Sequence, residues 1–233
     1  MTEKFWADRF EQNLLRIQER IAAALQKASR TEEEVKLIGV TKTVPVDLIN
    51  QSIQCGITAI GENRVQEFLQ KEPSLLPCER HIIGHLQTNK VKQIAGKIDL
   101  LQSLDSVKLA AELDKWYQCE PKPLDVLVEL NIGGEESKSG IDPVQLESFL
   151  EQIAVFGHIK VRGMMAIPPF SPQKEDSRRF FYRMTQLFVD IRRKKLDNIS
   201  MDFLSMGMSH DFDVAIEEGA NVVRIGSAMY GAR

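Results

Sequence analysis

The chain has 233 residues, 43% of them hydrophobic and 27% charged, with a net charge of −3. That is the composition of a globular protein with a sizeable core, and the near-balanced charge argues against a nucleic-acid partner; RRKK at 192–195 is a single short basic run that reads as the solvated end of a helix. Cys55, Cys78 and Cys119 lie far apart without metal-ligand spacing, the N-terminus MTEKFWADRF has no apolar signal core, and no apolar run approaches membrane length, so a cytoplasmic protein with reduced thiols and no membrane partner is expected.

Residues 3–28 form an amphipathic helix in which Trp6, Phe10, Leu14, Ile17, Ile21 and Leu25 recur at steps of three and four. It precedes the first strand, so it covers the fold rather than joining two strands. Thr31 to Glu34 has the spacing of a capping box and is expected to start a single turn. KLIGVTKTVP (36–45) carries the first strand, 35–42, with Lys42 at its C-terminal end. A helix from Val46 to Cys55-Gly56, a strand at 57–63 and a helix from Arg64 to Lys71 follow. HIIGH (81–85) is the third strand and LQTNKVKQIAG a helix. IDLLQSL (98–104) is the fourth, followed by a helix from Ser106 to Cys119 with Val107, Ala110, Ala111 and Leu113 on one side. LDVLVELNI (124–132) is the strongest strand signal. It ends at Gly133-Gly134 and the polar loop EESKSG, and Asp142-Pro143 opens a helix carrying Leu146, Phe149, Leu150 and Ile153. IKVRGMMAI (159–167), a helix over 175–195, MDFLSMG (201–207), the helix FDVAIEEG and NVVRIGSAMYG (221–231), which holds the eighth strand, complete the series.

Short apolar strands alternating with helices require parallel strands and helical crossovers. Eight such units over 35–231 behind a leading helix predict an α/β fold, a (β/α)8 TIM barrel, as one domain over 1–233. A doubly wound open sheet is the rival, but VTKTVPVD lacks the glycines of its dinucleotide turn.

In a barrel, function collects at the C-terminal strand ends: here Lys42, Glu62-Asn63, His85, Asn131, Met164-Met165, Ser205 to Ser209 and Arg224 to Ser227. A partly shielded lysine amine is a nucleophile towards a carbonyl. The glycine and serine ends of strands seven and eight suit a phosphate cradle, and barrel closure sets strand eight beside strand one. The combination suits a phosphorylated aldehyde or ketone, either pyridoxal phosphate (PLP) or a sugar phosphate. Arg224 favours PLP, because a basic residue can face the pyridine nitrogen. Plainer readings exist for each: Lys42 reaching to water, Asn63 as a helix cap, His85 as a half-buried hydrogen-bonded histidine, the methionines as packing, Arg224 as an ion-pair or phosphate partner.

VTKTVP around Lys42, IGENRVQE (60–67), HIIGHLQTNK (81–90), GMMAI (163–167), LSMGMSHDF (204–212) and VVRIGSAMYG (222–231) resemble, in order and spacing, the pyridoxal phosphate homeostasis protein family, single-domain relatives of the alanine racemase N-terminal barrel. The resemblance implies that Lys42 forms an aldimine (Schiff base) with PLP, that Ser209, Gly226 and Ser227 bind the phosphate, that Arg224 lies next to the pyridine nitrogen and that Asn63 lies near the cofactor. It also puts His85 and Ser205 in the pocket. The expected function is PLP binding in intracellular PLP homeostasis and amino- and keto-acid balance, without robust catalysis. Alanine racemase uses a second domain and a tyrosine donated across a dimer. With the last strand close to Arg233 no such domain is expected, and of Tyr117, Tyr182 and Tyr230 only Tyr230 is expected near the mouth. A monomer is expected. The alternatives are a low-activity PLP-dependent racemase or lyase, and a regulatory module whose PLP state a protein partner reads.

Overall fold

The computed structural model describes residues 3–135, 138–194 and 196–231, with side chains from residue 8 onward. Eight parallel strands close into a barrel in chain order: β1 (Lys36–Val40), β2 (Ala59–Glu62), β3 (Glu79–Ile82), β4 (Leu100–Leu104), β5 (Leu124–Leu130), β6 (Ile159–Ala166), β7 (Ile199–Met208) and β8 (Val222–Ile225). β8 closes on β1 with Ile38 opposite Arg224 and Gly39 opposite Ile225. Closure leaves no edge strand, which removes the open-sheet rival.

The helices are α1 (Glu3–Lys27), α2 (Val46–Gln54), α3 (Val65–Lys71), α4 (Val91–Ile94), α5 (Val107–Tyr117), α6 (Leu146–Ile153), α7 (Arg178–Lys194), α8 (Phe212–Glu217) and α9 (Ser227–Tyr230). Strand side chains alternate between two cores. Ile38, Ala59 and Val222 cluster inside the ring, as do Leu100, Leu127 and Met165, while Ile60, Val126, Val128 and Val223 join the large core beneath the helices. α1 connects no strands. Its Phe10, Leu14, Ile17 and Leu25 are buried, and it packs on α8 and α9. Asn13 Nδ2 donates to the Met229 carbonyl at 3.1 Å, and Arg20 pairs with Asp213 at 3.0 Å. Trp6 of the same stripe lies outside the described side chains, and Lys195 of RRKK and Glu136-Ser137 of EESKSG lie outside the described residues.

Several local expectations give way. The single turn before β1 is present, the Glu33 N–H closing on the Arg30 carbonyl at 3.0 Å, but Arg30 and not a Thr31–Glu34 capping box anchors it, its side chain tying Glu33 to the Ile216 and Ala220 carbonyls. LQTNKVKQIAG is only a 3-10 turn, Thr88–Lys90, and the single turn α4, ended at Gly96, whose φ of +72° suits glycine. On α5 the buried side is Leu109, Ala110, Leu113 and Tyr117, and Ala111 faces solvent. β8 stops at Ile225, and SAMY (227–230) is α9. Asp142 caps as expected, accepting from the Val144 N–H at 2.9 Å. Among the described residues no helix is long and apolar enough to cross a membrane, and no cluster of His, Cys, Asp or Glu could hold a metal. The three cysteines are free.

Candidate functional site at the barrel mouth

Period two sends Ile38, Val40 and Lys42 to one side of β1, and Lys42 stands exposed just beyond the strand end. Thr41 extends the ladder, its N–H on the Gly61 carbonyl at 3.0 Å, and a turn follows, closed by the Val44 N–H on the Thr41 carbonyl at 2.9 Å. On the neighbouring strand Gly226 follows Ile225 and opens α9. Ser209, just past β7, turns its hydroxyl into the same corner: Oγ accepts from the Gly226 N–H at 3.3 Å and the Ala228 N–H at 3.2 Å. Gly207 makes this possible. Its φ is +91°, and a Cβ there would lie 2.6 Å from that of Ala215. Ser209, Gly226 and Ser227 therefore meet where β8 closes on the Lys42 strand.

Arg224 points inward from β8 and is 2% exposed. Nη1 donates to Ser205 Oγ at 2.5 Å and Nη2 to the Ala166 carbonyl at 2.9 Å. Burial pushes the guanidinium down to about 10, against the pull of the Glu129 and Asp211 charges. Ser205 sits inside the barrel, fully buried, below the rim. It donates to Gln102 Oε1 at 2.7 Å; Gln102 Nε2 lies 2.9 Å from His81 Nδ1, and His81 Nε2 lies 3.2 Å from Glu79 Oε2.

Asn63 follows β2 at the rim and is packed so closely on Gly84 that a Cβ at 84 would lie 2.4 Å from its carbonyl oxygen. The residue capping α3 is Arg64, not Asn63. His85 is exposed past β3, with Nδ1 2.8 Å from Asp105 Oδ2. Asn131 orders its own loop through the Glu135 carbonyl and N–H. Met164 and Met165 are fully buried packing. Tyr230 lies behind β1, its hydroxyl 3.1 Å from Ser52 Oγ and its ring 5.8 Å from that of Phe10. A cavity of about 560 Å³ under α1 touches none of these residues.

Sequence reasoning named Glu62 only as a strand end and missed the other polar residues beneath the rim: Thr41, Lys71, His81, Gln102 and Glu129. Glu129 is 8% exposed on the inward face of β5; its Oε1 accepts from Ser139 at 3.1 Å, and burial raises its carboxyl above the usual range. A signal was available. A lone Gln in DLLQSL and a lone Glu in LVELN are costly to bury unless partnered, so each announces a partner without naming it.

The residue set fits a phosphorylated aromatic aldehyde: an amine at Lys42, a corner of serine hydroxyls and glycine backbone at Ser209, Gly226 and Ser227 in which two N–H groups orient the Ser209 hydroxyl, and a buried cation at Arg224.

The family model for the alanine racemase N-terminal domain matches residues 12–233. The pyridoxal phosphate homeostasis protein of Aquifex aeolicus is 46% identical over 224 residues, covering 95% of this chain and 97% of its own length. Among solved structures, an unknown protein from Bifidobacterium adolescentis is 30% identical with a TM-score of 0.90, over 98% of this chain and 97% of that one. PipY of Synechococcus elongatus PCC7942, solved with PLP bound, is 26% identical with a TM-score of 0.82, over 95% of this chain and 100% of that one.

Proposed function

This chain belongs to the alanine racemase N-terminal domain family and, within it, to the pyridoxal phosphate homeostasis proteins, and from that premise we propose that it binds PLP at the barrel mouth, covalently on Lys42, and serves intracellular PLP homeostasis. The observation that supports the reading is the β1–β8 register, in which Gly39 pairs with Ile225, so the strand end that leads to Lys42 neighbours the strand end that leads to Gly226.

In this reading Lys42 supplies the amine that joins the cofactor's aldehyde carbon. The Ser209 and Ser227 hydroxyls and the backbone around Gly226 would hold the phosphate, with the Gly226 and Ala228 N–H groups orienting Ser209. Arg224, already anchored on Ser205 and Ala166, offers its remaining N–H donors to the ring nitrogen and gives up no proton to it. Bound PLP supplies an electron-withdrawing ring, and an arginine partner leaves that ring a weak electron sink. Asn63 and His85 border the mouth, and Ser205 supports Arg224 from below. A cytoplasmic, monomeric carrier of PLP, without robust catalysis, is the form this reading takes. Racemisation needs an acid and a base on opposite faces of the substrate carbon, and the tyrosines offer neither: Tyr117 is buried on α5, Tyr182 is exposed on α7, and Tyr230 faces Ser52.

The test is spectroscopic. Purified protein given PLP should turn yellow, and borohydride reduction with peptide mapping should find the label on Lys42. A wild-type protein that PLP cannot colour overturns the reading.

A further inference from the structure

The turn carrying Lys42 is held from behind by three charged residues outside the cradle. Glu62 follows Ile60 on the outer side of β2, and Glu67 and Lys71 stand one turn apart on α3. Lys71 Nζ donates to the Thr41 carbonyl at 2.8 Å, to Glu62 Oε1 at 2.7 Å and to Glu67 Oε1 at 2.6 Å. Glu62 Oε1 also accepts from the Thr41 hydroxyl at 2.7 Å, and Glu67 Oε1 accepts from the Thr43 N–H at 2.5 Å. The Thr41 carbonyl and the Thr43 N–H belong to the two peptide groups that flank Lys42. One network grips both.

Two further facts set this apart from ordinary packing. Thr43 has a φ of +60°, a left-handed conformation that a β-branched residue avoids and that a turn of this kind normally gives to glycine. Strain of that sort persists where the surroundings over-determine it, and here the Glu67 carboxylate on the Thr43 N–H does so. Glu62 is 1% exposed and Lys71 9%, and a buried ion pair is a weak source of stability compared with an apolar replacement. What it does supply is direction: fixed donors and acceptors aimed at particular peptide groups.

We propose that Glu62, Glu67 and Lys71 are positioning residues for Lys42, fixing the peptide planes on either side of it so that its side chain leaves the turn towards the mouth. The proposal rests on the PLP reading above, and its test separates the two. In the PLP-free protein, Glu67→Ala should speed amide hydrogen exchange at Thr43 about tenfold, the loss of one charge-assisted hydrogen bond. Glu67→Gln keeps an acceptor and should restore most of the protection. With PLP, the rate of colour development at Lys42 should fall about tenfold in Glu67→Ala and Lys71→Met and stay near wild type in Glu67→Gln. Arg178→Ala, which breaks the remote pairs with Glu175, Glu217 and Glu218, shows what lost stability alone does. Unchanged exchange at Thr43, capture of PLP at the wild-type rate by Glu67→Ala, or equal slowing by Arg178→Ala at a matched melting temperature overturns the clamp. Wild-type protein that takes up no PLP overturns the binding reading instead, and the exchange experiment still decides the clamp.

Discussion

Arg224 Nη1 donates to Ser205 Oγ at 2.5 Å, and Ser205 donates onward to Gln102 Oε1 at 2.7 Å. A hydroxyl has one proton and arginine only donates, so the direction of the whole chain follows. Gln102 turns its oxygen to Ser205 and its amide to His81 Nδ1, leaving the His81 Nε2–H for Glu79. The buried cation on β8 thereby sets the tautomer of a histidine on β3, across the interior of the barrel.

Ser205→Ala breaks that chain in its middle. The Arg224 N–H and Gln102 Oε1 both lose a partner inside the barrel, so we expect a loss of about 1–3 kcal/mol in denaturant unfolding. PLP bound to the variant should also show a shifted absorption maximum, because Arg224 is loosened. An unchanged spectrum would dissociate Ser205 from the cofactor.

Burial holds His81 below its ordinary value of 6.5, despite the Glu79 carboxylate beside it. The unfolded chain therefore takes up a proton at this residue at a pH where the folded chain does not. Below about pH 6.5 stability should fall as the pH falls. Urea midpoints measured at about pH 7.5 and about pH 5 should differ in the wild type and converge in His81→Gln; equal slopes in both proteins would remove His81 as the cause.

Glu129 has the opposite sign. Its folded value lies above 4.5 because burial disfavours the carboxylate, so its contribution is fully present below 4.5 and is lost as the pH rises through the folded value. Glu129→Gln keeps an acceptor for Ser139 and removes the charge. We expect it to gain on the order of 1 kcal/mol at neutral pH and nothing near pH 4, read from thermal melts at the two pH values.

Ser209→Ala leaves the Gly226 and Ala228 N–H groups without their hydroxyl acceptor and takes one donor from the phosphate. PLP should bind about tenfold more weakly, while the melting temperature of the PLP-free protein changes little. Equilibrium titration with PLP measures the first and calorimetry the second.

Phe10 on α1 is 1% exposed and packs on the Tyr230 ring. Phe10→Ala should cost about 3–5 kcal/mol. Because α1 also holds α9 through Asn13, the same variant should weaken PLP binding. Unweakened binding at reduced stability would show that α1 braces the fold but not the cradle.

The barrel was legible in the sequence because each of its parts is a local pattern. Strand alternation, helix periodicity and the glycine breaks recur within ten or so residues. Local reading failed where a short-range pattern was ambiguous. LQTNKVKQIAG has helical spacing but is cut short at Gly96, and Ala111 is small enough to sit on either face of α5. Lys42, Ser209, Gly226 and Ser227 could be proposed in advance because strand ends are countable; Arg224, counted with them, points into the barrel interior instead.

The eight-stranded ring, the leading helix and the family motifs that name the cofactor are written in local stretches of residues. Who holds whom is a property of the closed fold. Ser205 and Gln102 are separated by 103 residues, Lys71 and the Thr41 carbonyl by 30. A buried polar side chain declares in the sequence that it needs a partner, since leaving it unpaired is costly. Which partner it finds depends on register, tilt and closure of the whole ring. No single strand encodes those, and that is why the grip on either side of Lys42 became visible only once the barrel was closed.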